Sequence, residues 1–205
     1  ALVKSSAGTP PRPPVLAEIQ ARCGEISGAE DHYRQLSVAG LEFGDSLRGV
    51  ARLWRRPGEA LGEIQPTAAV SASSGFQFHP ALLDAHLQVI SAAMDPSAGV
   101  FLPFNVGAFE RFAADDPLWC HVQLAETGSR ETLRADLTLL DGAGQTAARI
   151  SSLVLKRTAL RRADGPAYAD WLYQVAWQPI PSLGSPRRNN LSLSALAEQL
   201  DPALA

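Results

Sequence analysis

The stretch HPALLDAHLQVISAAM, residues 79–94, limits what this chain can fold into more than any other. Pro80 suits a first helical turn, where a missing N–H costs nothing. Leu83, Leu87, Ile90 and Met94 recur at i, i+4, i+7 and i+11, which predicts one long helix with an apolar stripe. Ala92 and Ala93 add small residues where such a helix can approach a sheet closely. On both sides of it the pattern turns from helical to alternating. GVARLWRR sets Val50, Arg52, Trp54 and Arg56 opposite Ala51, Leu53 and Arg55, and ALGEIQ follows the turn residues Pro57 and Gly58 as the second arm of a hairpin. Further strands are predicted in GVFLPFNVGAFERF, LWCHVQLAE, TLRADLTLLD and QTAARISSLVLKRT. The last two are joined by Asp141-Gly142-Ala143-Gly144, a strong hairpin signal.

Strands at short spacing imply one antiparallel sheet, and an apolar helix with such a sheet curled around it is the hot-dog arrangement, an α+β class. Ahead of it, SSAGTPPRPP carries four prolines and reads as an extended linker, while VLAEIQARC and GAEDHYRQLSVAG read as two helices. ALVK is expected to end a strand of a preceding domain, and a start without methionine suggests a piece of something longer. From residue 161 the character changes again: LRRADGPAYAD is linker-like, WLYQVAWQPIP reads as a strand and NNLSLSALAEQL as the start of a helix. The boundaries expected are a linker over 1–28, the sheet-and-helix unit over 29–160 and an exit into another domain over 161–205.

A composition of 46% hydrophobic and 19% charged residues is globular, with no apolar run long enough for a membrane-spanning helix. A net charge of −3 argues against a nucleic-acid partner, since phosphate binding relies on clustered Lys and Arg. Cys23 and Cys120 are expected to be reduced thiols of a cytoplasmic protein, and two distant cysteines with four scattered histidines offer no metal-ligand spacing.

Two motifs compete for the chemistry. Gly44-Asp45-Ser46-Leu47 spells a serine-esterase signature, but the preceding residues read as a helix and no Asp-x-x-His follows anywhere, so Ser46 has no base. Asp84 and Gln88, four apart on the long helix, share one face off the Leu83/Leu87 stripe, and an amide one turn away can hold a carboxyl group in one rotamer. The same spacing also fits an aspartate that complements the helix dipole beside an exposed glutamine. Of the histidines, His79 is expected to cap the helix, His86 to point about 200° away from Asp84, His121 to lie in a strand and His32 on a surface helix.

HPALLDAHLQ resembles the signature of the second, C-terminal hot-dog half of dehydratase domains from modular polyketide synthases, His-Pro-x-x-x-Asp with Gln or His four residues on. YRQLSVAGLEFGDSLRGVARLWRR resembles the start of that half, FLPF its Leu-Pro-Phe segment, and DWLYQVAWQPIP the passage toward a ketoreductase region. On this resemblance Gly44-Asp45-Ser46-Leu47 is a family turn, where Phe43, Asp45 and Leu47 replace the usual Tyr, Pro and Phe.

The resemblance implies half of a double hot dog. Asp84 would be its catalytic acid with Gln88 orienting it, and Phe43, Gly44, Leu47, His79, Pro80, Leu102, Pro103 and Phe104 would lie against substrate. It implies dehydration of a β-hydroxyacyl thioester, carried on the phosphopantetheine arm of an acyl carrier protein, to the α,β-enoyl thioester. No cofactor beyond that arm is implied. The implied partners are the first hot-dog half, the carrier protein, neighbouring synthase domains and a second copy in a homodimer. The family's catalytic histidine sits in a His-x-x-x-Gly-x-x-x-x-Pro motif, which this chain lacks, so the base is expected outside it. Two alternatives stay open: an isomerising, cyclising or silent relative, and a structural element that holds neighbouring domains. A catalytic half requires an open apolar tunnel ending at Asp84, a structural one a filled tunnel.

Overall fold

A computed structural model describes residues 3–5, 9–71, 76, 78–113, 116–125, 129 and 131–158. The strand and helix expected beyond residue 160 lie outside the described residues. The first half runs β1 (Val3–Ser5), α1 (Leu16–Cys23), β2 (Glu25–Gly28), α2 (Ala29–Val38), a 3-10 turn at Asp45–Leu47, β3 (Val50–Arg56), β4 (Glu59–Ile64) and α3 (Ala68–Ser71). Then come α4 (Pro80–Gln88), α5 (Ile90–Ala93), β5 (Val100–Asn105), β6 (Ala108–Arg111), β7 (Trp119–Ala125), β8 (Thr132–Leu140) and β9 (Thr146–Thr158).

The expected hairpins form where their turn residues allow them. Gly58, at φ 80°, joins β3 to β4, and between β8 and β9 the Asp141 carboxylate accepts from the N–H groups of Ala143 and Gln145 while Gly144 adopts φ 77°. Among the described residues one sheet results, in the order β1-β6-β9-β8-β7-β4-β3-β2, with β5 also on β9. β9 pairs with β6 over its first part and with β5 over its last. The change of partner falls at Ser152, whose φ of 53° is strained for a side-chain-bearing residue and whose N–H donates to Asp136 Oδ1 at 2.7 Å. Val3–Ser5, from the stretch expected to end a preceding strand, pairs in parallel with Phe109–Arg111 along the outer edge of β6.

The long helix bends at Val89 into α4 and α5, and its buried face differs from the expected stripe. Leu82, Ala85, His86, Val89 and Ala93, all at most 1% exposed, meet the sheet, whereas Leu83, Leu87 and Met94 are only half-buried. The segment is apolar nearly all round, so its period admits two stripes, and close approach selects the one with smaller side chains. Gly49 and Gly62 are the sheet's counterparts: a Cβ at Gly62 would lie 2.4 Å from a Val89 methyl, and one at Gly49 2.8 Å from Ala85 Cβ. Gly62→Ala is therefore expected to cost about 1–3 kcal/mol, read as a lower urea midpoint at unchanged slope. An unchanged midpoint would show that the helix has room to retreat.

The sheet's other face is covered by α1, within the stretch expected as linker. Ile19 is fully buried there with Cys23, Trp54 and Leu61, and the Pro11 carbonyl accepts from Thr146 Oγ1. Because successive strand residues face opposite ways, Leu53 joins the central-helix side and Trp54 the α1 side, so both are buried. Glu59 fastens this layer: its buried carboxylate accepts from Arg22, Arg56 and His121 at 2.5–3.0 Å. Chiefly through Arg22, its pKa is held down to about 2.

Candidate active site

The flank of α4–α5 turned away from the sheet is open. Asp84, Leu87, Gln88, Ile90, Ser91 and Met94 form the floor of a groove of about 1080 Å³, with α2 on one side and β5 on the other. Its walls are mainly apolar, from Leu36, Leu41, Phe43 and Leu53 to Phe101 and Leu155, and the exposed Asp31–Arg34 ion pair also lines it. Leu87 thus shares the groove with Asp84 and Gln88, where the sequence pattern had set the two on separate faces.

The i, i+4 contact forms as expected. Gln88 Nε2 donates to Asp84 Oδ2 at 2.8 Å and to the Leu47 carbonyl at 2.9 Å. Gln88 Oε1 accepts from the Tyr33 hydroxyl at 2.8 Å, and that hydroxyl accepts from the Val50 N–H at 2.9 Å. Every hydrogen-bonding atom of this buried amide is satisfied. Burial pushes the Tyr33 phenol up to about 12, partly offset by the Val50 N–H, so it keeps its proton at neutral pH. Tyr33 stands 55 positions from Gln88, and in the sequence it marks only helical spacing on α2; no local signal pointed to the site.

The residues expected against substrate separate into two groups. Phe43, Leu102 and Pro103 line the groove with Asp84 and Gln88. Leu47 meets Gln88 through its carbonyl, and Gly44 precedes the 3-10 turn without lining the groove. His79 caps α4, its Nδ1 accepting from the Ala81 N–H, and Pro80 occupies the first helical position; neither lines the groove. Phe104 lies outside it, 64% exposed, with Lys156 Nζ 3.6 Å from its ring centroid. Ser46 is exposed on the 3-10 turn, where its carbonyl accepts from Thr67 Oγ1, and no histidine is bonded to it among the described residues.

The histidines divide by environment. His86 points away from Asp84 as expected, fully buried, with Nδ1 2.5 Å from the Leu82 carbonyl. His121 lies in β7 against Glu59. His32 is not a surface residue: it is 5% exposed, and its Nε2 has no hydrogen-bond partner among the described residues. The second layer explains the difference, since α2 packs on β2 and β3 and turns His32 inward beside Tyr33. Burial lowers both His32 and His86 to about 4. Cys23 and Cys120 are buried and free, and no His, Cys, Asp and Glu cluster able to hold a metal occurs among the described residues. No helix among them is long and apolar enough to cross a membrane.

An antiparallel sheet around a bent central helix, with an Asp–Gln pair in the floor of an apolar groove, can be compared with known proteins. The family model described as "Polyketide synthase dehydratase N-terminal domain" matches residues 11–163. The chain belongs to the polyketide synthase dehydratase family. It is similar to the dehydratase domain from the CurF module of Curacin polyketide synthase, with a TM-score of 0.65 and 28% identity over 77% of this chain and 55% of that one. It is also similar to two inactive mutants of CurK dehydratase, one His to Phe and one Asp to Asn. Their TM-scores are 0.64 and 0.63 at 28% and 27% identity, each over 71% of this chain and 53% of the other. These likenesses bear out the hot-dog expectation. Mycoketide-CoA synthase of Mycobacterium tuberculosis is 30% identical over 172 residues, 76% of this chain but 4% of that protein, so this dehydratase-family chain spans a small part of that curated relative.

Proposed function

We propose that this chain is the acid-bearing half of a polyketide synthase dehydratase, which converts a β-hydroxyacyl thioester on the phosphopantetheine arm of an acyl carrier protein to the α,β-enoyl thioester. The observation that carries the reading is Asp84 in an open apolar groove. Gln88 holds one of its carboxyl oxygens, and the other has no hydrogen-bond partner among the described residues. A structural element would have filled that groove with side chains.

In the reaction, a base takes the proton from the carbon next to the thioester carbonyl, and the electron pair released forms the double bond. The carbon–oxygen bond at the β position breaks as neutral Asp84 gives its proton to the departing oxygen, so water leaves. The Gln88 N–H then faces a carboxylate, a charge-assisted bond stronger than the one before proton transfer. The base comes from the other hot-dog half. CurK dehydratase is described as inactive in a His-to-Phe mutant and in an Asp-to-Asn mutant, which agrees with a histidine and an aspartate sharing the work. The matching family model is described as an N-terminal domain. What favours the C-terminal half is the His-Pro-x-x-x-Asp start of α4 and the lack of a His-x-x-x-Gly-x-x-x-x-Pro motif in the sequence. On this reading residues 29–160 form that half, and 161–205 lead into the next synthase domain. Its partners are the first half, the carrier protein, adjacent domains and a second copy.

The test compares this 205-residue chain with the complete dehydratase on a β-hydroxyacyl thioester surrogate, with enoyl product followed by mass spectrometry. The chain alone is expected to lag by at least the roughly 10²- to 10⁴-fold worth of one general acid–base partner. Enzyme-like turnover by the chain alone would sink the half-site reading, and a complete dehydratase that binds the surrogate but never turns it over would make the domain silent.

A further inference from the structure

Two backbone groups set the direction of the hydrogen-bond run that ends at Asp84. The Val50 N–H can only donate, so the Tyr33 oxygen 2.9 Å away accepts from it. The Leu47 carbonyl can only accept, so the Gln88 atom 2.9 Å from it is the nitrogen, whichever way the amide would otherwise be assigned. Gln88 Oε1 therefore faces Tyr33, and the single phenol proton is donated to it across 2.8 Å. One Nε2 proton remains, and it goes to Asp84 Oδ2 at 2.8 Å. No member of this run can reverse its role without losing a bond to the backbone.

We infer that Tyr33 is a positioning residue: by holding Gln88 in one amide orientation it reserves Asp84 Oδ2 as an acceptor and confines the proton of neutral Asp84 to Oδ1. Oδ1 has no hydrogen-bond partner among the described residues and Asp84 lines the groove, so the proton that the proposed acid role requires is placed on the oxygen left free for substrate. The kinetic consequence rests on the proposed role of Asp84 as the acid. Tyr33 is itself held in place, 5% exposed, with its ring edge-on to His32 and Phe43 and under the Arg48 guanidinium. Phe43 has no hydroxyl to offer, so among the described residues the phenol bonded to Gln88 is that of Tyr33. Without it Gln88 Oε1 loses its donor. The amide turns to find another, and its two N–H groups no longer both reach Leu47 and Asp84.

Tyr33→Phe keeps the ring and removes only the hydroxyl. In the complete dehydratase it is expected to lower kcat about threefold, less than the loss of Gln88 itself because Tyr33 acts only through that amide, and to leave KM within about twofold, because binding does not use the phenol. In this chain, proton–nitrogen NMR of the Gln88 side-chain amide gives a reading that does not depend on turnover. Two slowly exchanging N–H signals displaced from those of a free glutamine amide are expected in the wild type, and signals near the free-amide positions that exchange rapidly with water in Tyr33→Phe. The orphaned Val50 N–H will lower the melting temperature in either case, so both readings are taken well below it. A merely structural Tyr33 would lower the melt and leave the amide signals and kcat as they were, which overturns the inference. An altered amide with unaltered kcat overturns it too, since the orientation would then not matter to the acid. If the complete wild-type dehydratase is inert, the reading of Asp84 has failed, and the amide signals still decide whether Tyr33 positions Gln88.

Discussion

Asp84→Asn in the complete dehydratase is expected to lower enoyl thioester formation by about two to four orders of magnitude, the usual contribution of a positioned general acid. The melting temperature should hardly move. The asparagine keeps the shape of the carboxyl group, and its carbonyl oxygen can still accept the Gln88 Nε2–H that now reaches Oδ2 at 2.8 Å. Only the transferable proton is lost. Gln88→Ala does the reverse: it leaves the acid in place but strips the Tyr33 hydroxyl of its acceptor and the Leu47 carbonyl of its donor. Its rate should therefore fall by only about fivefold, near 1 kcal/mol, while its melting temperature drops because buried polar groups lose partners. Steady-state rates and thermal melts of both variants decide the ranking. Gln88→Ala as inactive as Asp84→Asn would give Gln88 a direct chemical role, and an active Asp84→Asn would place the acid elsewhere.

What the sequence revealed of this site, and what it hid, follows the range of the interactions involved. The His79 cap, the Pro80 start and the Asp84–Gln88 bond lie within one or two helical turns, so spacing alone could reach them. The Asp141–Gly144 turn and the Pro57-Gly58 hairpin are equally local. Tyr33 is different, because its tie to Gln88 exists only once α2 lies beside α4, and nothing near residue 33 encodes that meeting. The apolar stripe was misplaced for a related reason. Leu82 and Leu83 are equivalent in composition, and only Gly49 and Gly62 on the sheet, which admit Ala85 and Val89, decide which side turns inward. His32 looked solvated because its neighbours Asp31 and Arg34 are, yet the helix turns it into the groove wall.

That buried pair of histidines, His32 and His86, should make the fold acid-labile. Burial lowers both to about 4 from an ordinary value of 6.5. A histidine depressed in the folded state binds its proton more readily when unfolded, so between pH 6.5 and 4 the unfolded chain takes up protons that the folded chain refuses, and stability falls as pH falls. By pH 5 the difference is about 2 kcal/mol for each histidine, and it approaches about 3 kcal/mol by pH 4. Two such terms are comparable to the whole stability of a small domain, about 5–15 kcal/mol. Glu59 adds a separate, lower window: its carboxylate, held near 2 by Arg22, contributes stability that is present above 4.5 and lost as pH falls toward 2. Urea titrations at pH 7 and pH 5 measure the first window without the second. His32→Phe is the sharper probe, because Nε2 of His32 has no partner to orphan and a phenyl ring can keep the edge contact with Tyr33. The wild type should lose about 2 kcal/mol more than His32→Phe between the two pH values, since His86 and the likewise depressed His121 contribute equally to both proteins. Equal losses in the two proteins would mean that His32 accepts a proton in the folded state, which requires a polar partner for its buried ring.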